Sequence, residues 1–92
     1  MVRITIEKIV WNKWNEEHIK KHSVSTDEVE NVVHNLIAYK QGYNGRYILI
    51  GRSNNRLISV IVSRKTAKTY YVVTARDSDK KERKIVYDKE NK

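Results

Sequence analysis

The 92-residue sequence predicts a small α+β domain in which helices cover an antiparallel β-sheet, in the order β-α-α-β-β-β-β-α. Two observations carry this prediction. The first half of the chain contains an amphipathic helix with a capping signal, and the second half contains strand-like runs separated by short turn signals. A chain of this length has room for one core, so we expect residues 1–92 to form a single domain.

The first half of the chain reads as one strand followed by two helices. Residues 2–10 alternate partly between apolar and polar types and predict the first strand. Asn12 can cap a short helix that runs through about residue 22. Ser25 and Glu28 have the spacing of a capping box and predict the start of a second helix. Its apolar stripe consists of Val29, Val32, Val33 and Leu36.

The second half reads as a meander of strands closed by a helix. Asn44-Gly45 is the strongest hairpin signal because both residue types accept a positive φ, and further turns are expected at Asn54-Asn55 and near residues 65–68. Asp79 and Glu82 have capping-box spacing and predict a last helix that ends near residue 87. The expected strands are Ala38–Tyr43, Arg46–Gly51, Leu57–Val62 and Tyr70–Ala75.

The composition favours some classes of function and excludes others. Nineteen Lys and Arg against eleven Asp and Glu give a net charge of +8, which favours a polyanionic partner such as nucleic acid. The absence of cysteine excludes disulfides and thiolate metal sites. No apolar run reaches the roughly 18 residues needed to cross a membrane, and the first residues do not resemble a signal peptide. We therefore expect a cytoplasmic protein with no membrane partner.

The sequence also lacks the motifs of two common kinds of phosphate-cleaving enzyme. It has no Gly-rich phosphate loop and no acidic cluster of the two-metal type. Any phosphodiester cleavage is therefore expected to need neither metal nor cofactor. It would use the RNA 2′-hydroxyl as nucleophile, with side chains as base, acid and charge stabiliser.

The candidate residues on the first helix are two histidines. His18 and His22 are four residues apart and share a helix face, with Asn15 on the same side. Three interpretations remain open: an acid/base or nucleic-acid-binding pair, a zinc site that lacks an evident third ligand, or a structural role in which Asn15 and His18 bridge the helix to backbone groups. Trp11 and Trp14 are expected to lie in the core or to staple the helix.

Arginines and lysines supply the candidate phosphate contacts. Arginines occur at strand ends and turns, where a planar guanidinium can meet phosphate oxygens. We expect Arg76 to be the main stabiliser of a scissile phosphate, because it ends a strand just before a helix N-terminus. The alternative is that Arg76 pairs with Glu82 or Asp79 to hold the last helix. A basic run on that helix, which could face RNA or an acidic partner, consists of Lys80, Lys81, Arg83 and Lys84.

Three segments resemble the BrnT-like toxin family, in a branch that carries two histidines. Residues 11–24, WNKWNEEHIKKHSV, resemble the family's W-[DN]-x-W-N-x-x-H-I-x-x-H-x-V opening. Gly45-Arg46-Tyr47 with Gly51-Arg52 resembles its middle hairpin. Thr74-Ala75-Arg76-Asp77, followed by Glu82-Arg83 and Tyr87, resembles its closing T-A-R-D-x-x-x-x-E-R-x-x-x-Y. The three segments span about residue 9 to residue 87.

The resemblance implies a RelE-like fold and the role of an RNA-cleaving toxin that stops translation in a type II toxin–antitoxin system. It also implies a small ribbon–helix–helix or acidic antitoxin as partner, with operator DNA contacted only through that antitoxin. Together with the charge pattern, it gives as catalytic candidates His22, Arg46, Arg76, Glu82 and Tyr87. The candidates for RNA binding are His18, Lys21, Arg52, Lys80, Lys81 and Arg83.

Two other functions remain open from the sequence. The chain could be a nucleic-acid-binding module that has kept the basic face without the chemistry. It could also be a protein-interaction domain whose basic face meets an acidic partner.

Overall fold

A computed structural model of the chain describes residues 4, 6–42 and 44–91. Its elements are β1 (Lys8–Val10), α1 (Lys13–Lys20), α2 (Thr26–His34), β2 (Leu36–Gln41), β3 (Arg46–Ser53), β4 (Arg56–Arg64), β5 (Thr69–Asp77) and α3 (Lys80–Glu90). This confirms the predicted α+β class and the predicted element order. No helix in the described part of the chain has the length and apolar character needed to cross a membrane.

The five strands form one sheet in the order β1-β5-β4-β3-β2. Strands β2 to β5 make the predicted antiparallel meander. The prediction of a wholly antiparallel sheet was wrong, because β1 pairs with β5 in parallel and the sheet is mixed. β1 lies far from β5 in the chain and reaches it without a hairpin, so no turn signal in the sequence marks this pairing.

The two faces of the sheet carry two apolar clusters. Helices α1 and α2 cover one face, where Ile19 and Val29 pack against strand residues such as Val60. Helix α3 crosses the other face, where Val86 packs against Ile50 and its neighbours. Side chains of successive strand residues alternate between the faces, so Arg76 lies on the α3 face and Asp77 on the α1/α2 face. Arg76 and Asp77 therefore form ion pairs on opposite faces of the sheet, Arg76 with Glu82 and Asp77 with Arg56.

The turn and cap predictions hold in detail. Asn44 and Gly45 have φ values of 57° and 71°, and Asn54 has 57°, so the residues expected to accept a left-handed backbone do so. Each helix begins with a capping box, made by Asn12 with Asn15, Ser25 with Glu28, and Asp79 with Glu82.

Several boundaries differ from the prediction. α1 ends at Lys20, α2 ends at His34, and α3 continues past Tyr87 to Glu90. Leu36, expected on the helix stripe, opens β2 instead. β1 is only Lys8–Val10, and the rest of the expected first strand includes residues 2, 3 and 5, which lie outside the described residues, as does Tyr43.

Candidate active site

A partly buried ion pair connects the last strand to the last helix. Both terminal nitrogens of Arg76 donate to the Glu82 carboxylate, over 2.7 and 2.9 Å. The same carboxylate accepts a bond of 2.8 Å from the Ser59 hydroxyl and one of 2.9 Å from the Asp79 backbone N–H. Glu82 is only 1% exposed, so this charge depends on its protein partners. The pairing that the sequence allowed as the alternative role of Arg76 is therefore present.

These bonds also decide the protonation state of Glu82. Burial by itself would raise the pKa of the carboxyl group, but the hydrogen bonds from Arg76, the Asp79 backbone and Ser59 outweigh it and lower the pKa to about 2. The same pairing raises the pKa of Arg76. A carboxylate with so low a pKa is a weak proton acceptor at neutral pH.

A cavity of about 330 Å³ opens beside this pair, at the end of the sheet where the β3–β4 turn meets the start of α3. Three of its lining residues are arginines, and Tyr87 contributes a phenol. The full lining is Arg52, Asn55, Arg56, Leu57, Asp77, Ser78, Arg83 and Tyr87. It brings together three of the residues expected from the sequence to act on RNA: Arg52, Arg83 and Tyr87.

The arginines of the cavity differ in how firmly they are held. Arg83 donates 2.9 Å to the carbonyl oxygen of Ser78 and makes no ion pair with an acidic side chain that the structure describes. Arg52 makes two bonds to Glu90, of 2.9 and 3.1 Å, and Glu90 is 40% exposed. An exposed pair of this kind exchanges readily with another anion. Arg83 and Arg52 can therefore turn to a bound phosphate at small cost.

Arg56 is instead a structural junction that the sequence analysis did not single out. Its guanidinium donates to Asp77 at 2.6 Å, to Glu28 at 3.0 Å and to the carbonyl of Ser23 at 2.7 Å. These bonds lower the pKa of Asp77, and that of Glu28 falls although burial opposes the change. The only sequence signal for this role is the position of Arg56 next to the Asn54-Asn55 turn.

The same junction brings the end of α1 toward the cavity. The Arg56 Nη2 atom lies 3.5 Å from the carbonyl oxygen of His22. The backbone of His22, just after α1, therefore lies next to the cavity residue Arg56, and both His22 and Lys21 are exposed. The segment that carries the expected catalytic histidine and the strand that carries Arg76 meet at this end of the sheet.

The face of α1 carries a row of rings. Trp14 stacks on His18 with ring centroids 4.9 Å apart and planes 11° apart, and His18 meets His22 edge-on at 5.8 Å. Of the two roles expected for Trp14, a core position was wrong, because Trp14 is 56% exposed. Trp11 is partly buried and its indole N–H bonds to Glu30 at 3.1 Å.

The structural interpretation of the histidine face is correct for one residue. Asn15 is fully buried and its amide donates to the carbonyls of Val10 and Val72, at 3.0 Å each. It therefore bridges α1 to β1 and β5, while His18 stacks on Trp14 instead of bonding to backbone. In the described chain no three histidine or acidic side chains are grouped as metal ligands.

The basic run of α3 borders the cavity on its outer side. Lys80, Lys81 and Lys84 are exposed, and with Arg83 and Tyr87 they line an open depression of about 480 Å³. Tyr87 is 47% exposed and belongs to both hollows. Of the lysines expected to contact RNA, Lys80 and Lys81 therefore lie on a surface that shares Arg83 and Tyr87 with the cavity, whereas Lys21 lies at the end of α1.

Arg46 stands apart from the rest of the expected site. In the sheet Arg76 pairs with Ser59, and Ser59 pairs with Ile50. Arg46 precedes Ile50 by four positions, or roughly 13 Å along the strand. The fold does not bring Arg46 to the Arg76–Glu82 pair, and it lies at the opposite end of β3 from the cavity.

Comparisons with known proteins bear on the fold. No protein-family model matches the chain, and no curated protein matches its sequence. Among solved structures, the crystal structure of the Brucella abortus ribonuclease toxin BrnT is similar, with a TM-score of 0.65 and 20% sequence identity. The match covers 83% of this chain and 100% of the BrnT chain. The protein described here therefore has the fold of the BrnT ribonuclease toxin.

Proposed function

We propose that this protein is an endoribonuclease of the toxin type, which cleaves RNA without a metal ion and inhibits translation. One observation carries the proposal: on a BrnT-like fold, a cavity lined by Arg52, Arg83 and Tyr87 opens onto a lysine-rich surface. A phosphodiester backbone fits such a surface, because guanidinium groups bind phosphate oxygens through paired N–H donors.

The cationic residues of the cavity would bind the scissile phosphate. Among the described side chains, Arg83 has no acidic partner that it would have to give up to bind a phosphate. Arg52 would give up only its pair with the exposed Glu90. Negative charge grows on the phosphate oxygens as the 2′-oxygen attacks. A guanidinium already in place stabilises that state more than the ground state. The exposed Lys80 and Lys81 would contact flanking phosphates.

The reaction is a transesterification within the RNA strand. The 2′-oxygen forms a bond to phosphorus as the bond from phosphorus to the 5′-oxygen of the next nucleotide breaks, which leaves a 2′,3′-cyclic phosphate and a 5′-hydroxyl. His22 would accept the proton of the 2′-hydroxyl, since imidazole is the side chain best suited to proton transfer near neutral pH. Tyr87, at the cavity wall, would donate a proton to the departing 5′-oxygen.

Arg76 and Glu82 take a positioning role in this proposal. Their mutual bonds fix the start of α3, which carries both Arg83 and Tyr87. The low pKa of Glu82 disfavours it as the general base. Arg46 lies too far along β3 to share a phosphate with Arg83 or Arg52.

The charge of the cavity supports the proposal that cleavage needs no metal ion. Its lining contains three arginines and one acidic residue, Asp77, whose carboxylate is already bound by Arg56. A divalent cation would be repelled there, and the guanidinium groups supply the positive charge that a metal would otherwise bring to the phosphate.

The partner expected for such a toxin is an antitoxin encoded beside it. We propose a small protein with an acidic segment that lies over the basic run of α3 and so closes the cavity to RNA. A ribbon–helix–helix antitoxin would also bind operator DNA, and the toxin would contact that DNA only through it. Exposed lysines on α3 supply the complementary charge.

A cleavage assay on single-stranded RNA tests the proposal. The wild-type protein should cleave in the presence of EDTA and leave 2′,3′-cyclic phosphate ends, and Arg83→Ala should lower the rate by roughly 10²–10³-fold. Arg64→Ala is the matched control, because Arg64 is an exposed arginine at the far end of β4. An equal loss in Arg46→Ala would move the site away from the cavity. Binding without cleavage would leave a nucleic-acid-binding module instead of an enzyme.

A further inference from the structure

We propose that Trp14 and His18 form a stacking platform for an unpaired base of single-stranded RNA, next to the cavity that would cleave it. This inference rests on the proposed function, because it extends the RNA path beyond the cleaved bond. It names a residue, Trp14, for which the motif analysis expected only a packing role.

The rings have the geometry of an incomplete stack. Trp14 and His18 are nearly parallel at 4.9 Å, and 56% of the Trp14 side chain is exposed. Trp14 belongs to neither apolar cluster of the core. A nucleobase placed on the indole would add a third layer to an existing pair of parallel rings. An aromatic ring offers every base the same π-face, so such a site is tolerant of sequence.

The position of the platform fits a strand that leaves the cavity. The row runs along α1 from His22, whose carbonyl lies 3.5 Å from the cavity residue Arg56, to Trp14. Eight residues of helical spacing cover about 12 Å, which is close to the length of three or four stacked nucleotides at ~3.4 Å each. A strand that leaves the cavity past His22 would therefore reach Trp14 with a base about three or four nucleotides further along.

Charge favours RNA as the occupant. The exposed Lys21 lies three residues after His18 and so projects next to the ring row, where it can meet the phosphate of a stacked nucleotide. The protein as a whole carries a net charge of +8. Glu17 lies four residues before Lys21 on the same side of α1 and offsets part of its charge, so the attraction for a phosphate rests on the excess of basic residues over the whole protein.

The test compares oligonucleotides that cannot be cleaved. A 2′-O-methyl oligoadenylate lacks the attacking hydroxyl, and an abasic oligomer of equal length keeps the charges and removes the bases. The wild type should bind the base-bearing strand more tightly than the abasic strand. Trp14→Leu should weaken binding of the base-bearing strand by about fivefold or more and leave abasic binding unchanged. Trp14→Phe should stay within about twofold of the wild type, since it keeps an aromatic face.

Fluorescence supplies a second readout that does not depend on the leucine variant folding. In Trp11→Phe the remaining indole is Trp14, and the oligoadenylate should quench its emission. In Trp14→Phe the remaining indole is Trp11, which is partly buried and bonded to Glu30, and its emission should stay constant.

The outcomes separate the two proposals. A wild type that binds neither strand would overturn the ribonuclease proposal itself. A wild type that binds RNA, with equal affinity in Trp14→Leu and no quenching in Trp11→Phe, would overturn only the stacking platform. An equal loss of abasic binding in Trp14→Leu would also overturn it, because base stacking would not be the cause.

Discussion

At Glu82 the protein keeps a full negative charge away from water and surrounds it with donors from three elements. Ser59 belongs to β4, Arg76 to β5 and the Asp79 N–H to the start of α3. The buried carboxylate holds β4, β5 and α3 together only while all of its hydrogen-bond donors remain, since the loss of a donor leaves a buried charge without compensation. The pair therefore fixes the angle at which α3 leaves the sheet.

Replacing Arg76 should then act first on folding. Arg76→Ala leaves the Glu82 carboxylate buried without its cation and should cost about 2–3 kcal/mol, less than a fully buried pair because 34% of the Arg76 side chain is exposed. Thermal melting of the purified variant measures the effect. Glu90→Ala, which removes an exposed ion pair, is the control and should melt close to the wild type.

A different result would restore the catalytic role that the sequence suggested for Arg76. If Arg76→Ala melts like the wild type and loses cleavage by roughly 10²–10³-fold, the guanidinium acts on the phosphate and not on the helix.

Glu82 also predicts how stability responds to acid. Its pKa is about 2 in the folded protein against an ordinary value of 4.5, so the folded state binds fewer protons than the unfolded state between these values. The stabilisation is complete above about pH 4.5 and is lost as the pH falls toward 2, with a total on the order of 3 kcal/mol. Urea unfolding at pH 6, 4 and 3 should show the decline. Glu82→Gln should flatten it, and an unchanged slope in that variant would contradict the assignment.

At the scale of elements, the sequence predicts those features that depend only on residues close together in the chain, such as helix starts and tight turns. The second and third helices begin at the predicted capping boxes, because a cap needs only residues three apart. The hairpin at residues 44–45 forms because its two residue types accept the backbone angles it requires.

Features that depend on distant parts of the chain were not predictable in the same way. The parallel pairing of β1 with β5 joins residues about sixty positions apart and leaves no local signal. Arg56 gathers groups from three segments, so its importance appears only after folding. Trp14 looks like a core residue by type, but its exposure depends on which side of α1 the sheet covers.

The contact between α2 and the sheet predicts a strict requirement at one glycine. A Cβ added at Gly51 would lie 2.9 Å from the carbonyl oxygen of Asn35 and 3.0 Å from that of Val32. Backbone atoms cannot move aside without shifting the end of α2, so Gly51→Ala should cost about 1–3 kcal/mol. Gly42→Ala is the control, since its Cβ would meet atoms no closer than 3.5 Å. Chemical denaturation measures both, and equal stability in the two variants would show that α2 can move.

At the scale of the whole molecule, four acidic residues are bound by arginines, and lysines on α3 remain exposed for a partner. Arg56 binds Glu28 and Asp77. Arg76 binds Glu82, and Arg52 binds Glu90. The lysines at the start of α3 have no such partner among the described side chains and stay exposed. The net charge of +8 is therefore not spread evenly, and the face formed by α3 and the cavity carries a concentrated part of it.

This distribution predicts how RNA affinity depends on salt. Each phosphate neutralised on a single strand releases counterions and contributes about −0.7 to the slope of log K against log salt concentration. Binding of an uncleavable oligonucleotide should weaken steeply as salt is raised from 50 to 200 mM. Arg83→Ala should make the slope shallower by about 0.7, because one phosphate contact is lost. Trp14→Leu should lower the affinity at every salt concentration and leave the slope unchanged, since stacking releases no counterions.

A flat dependence in the wild type would contradict the assignment of this face to a polyanion. An unchanged slope in Arg83→Ala would place the phosphate outside the cavity, because the cation would then have no share in neutralising it.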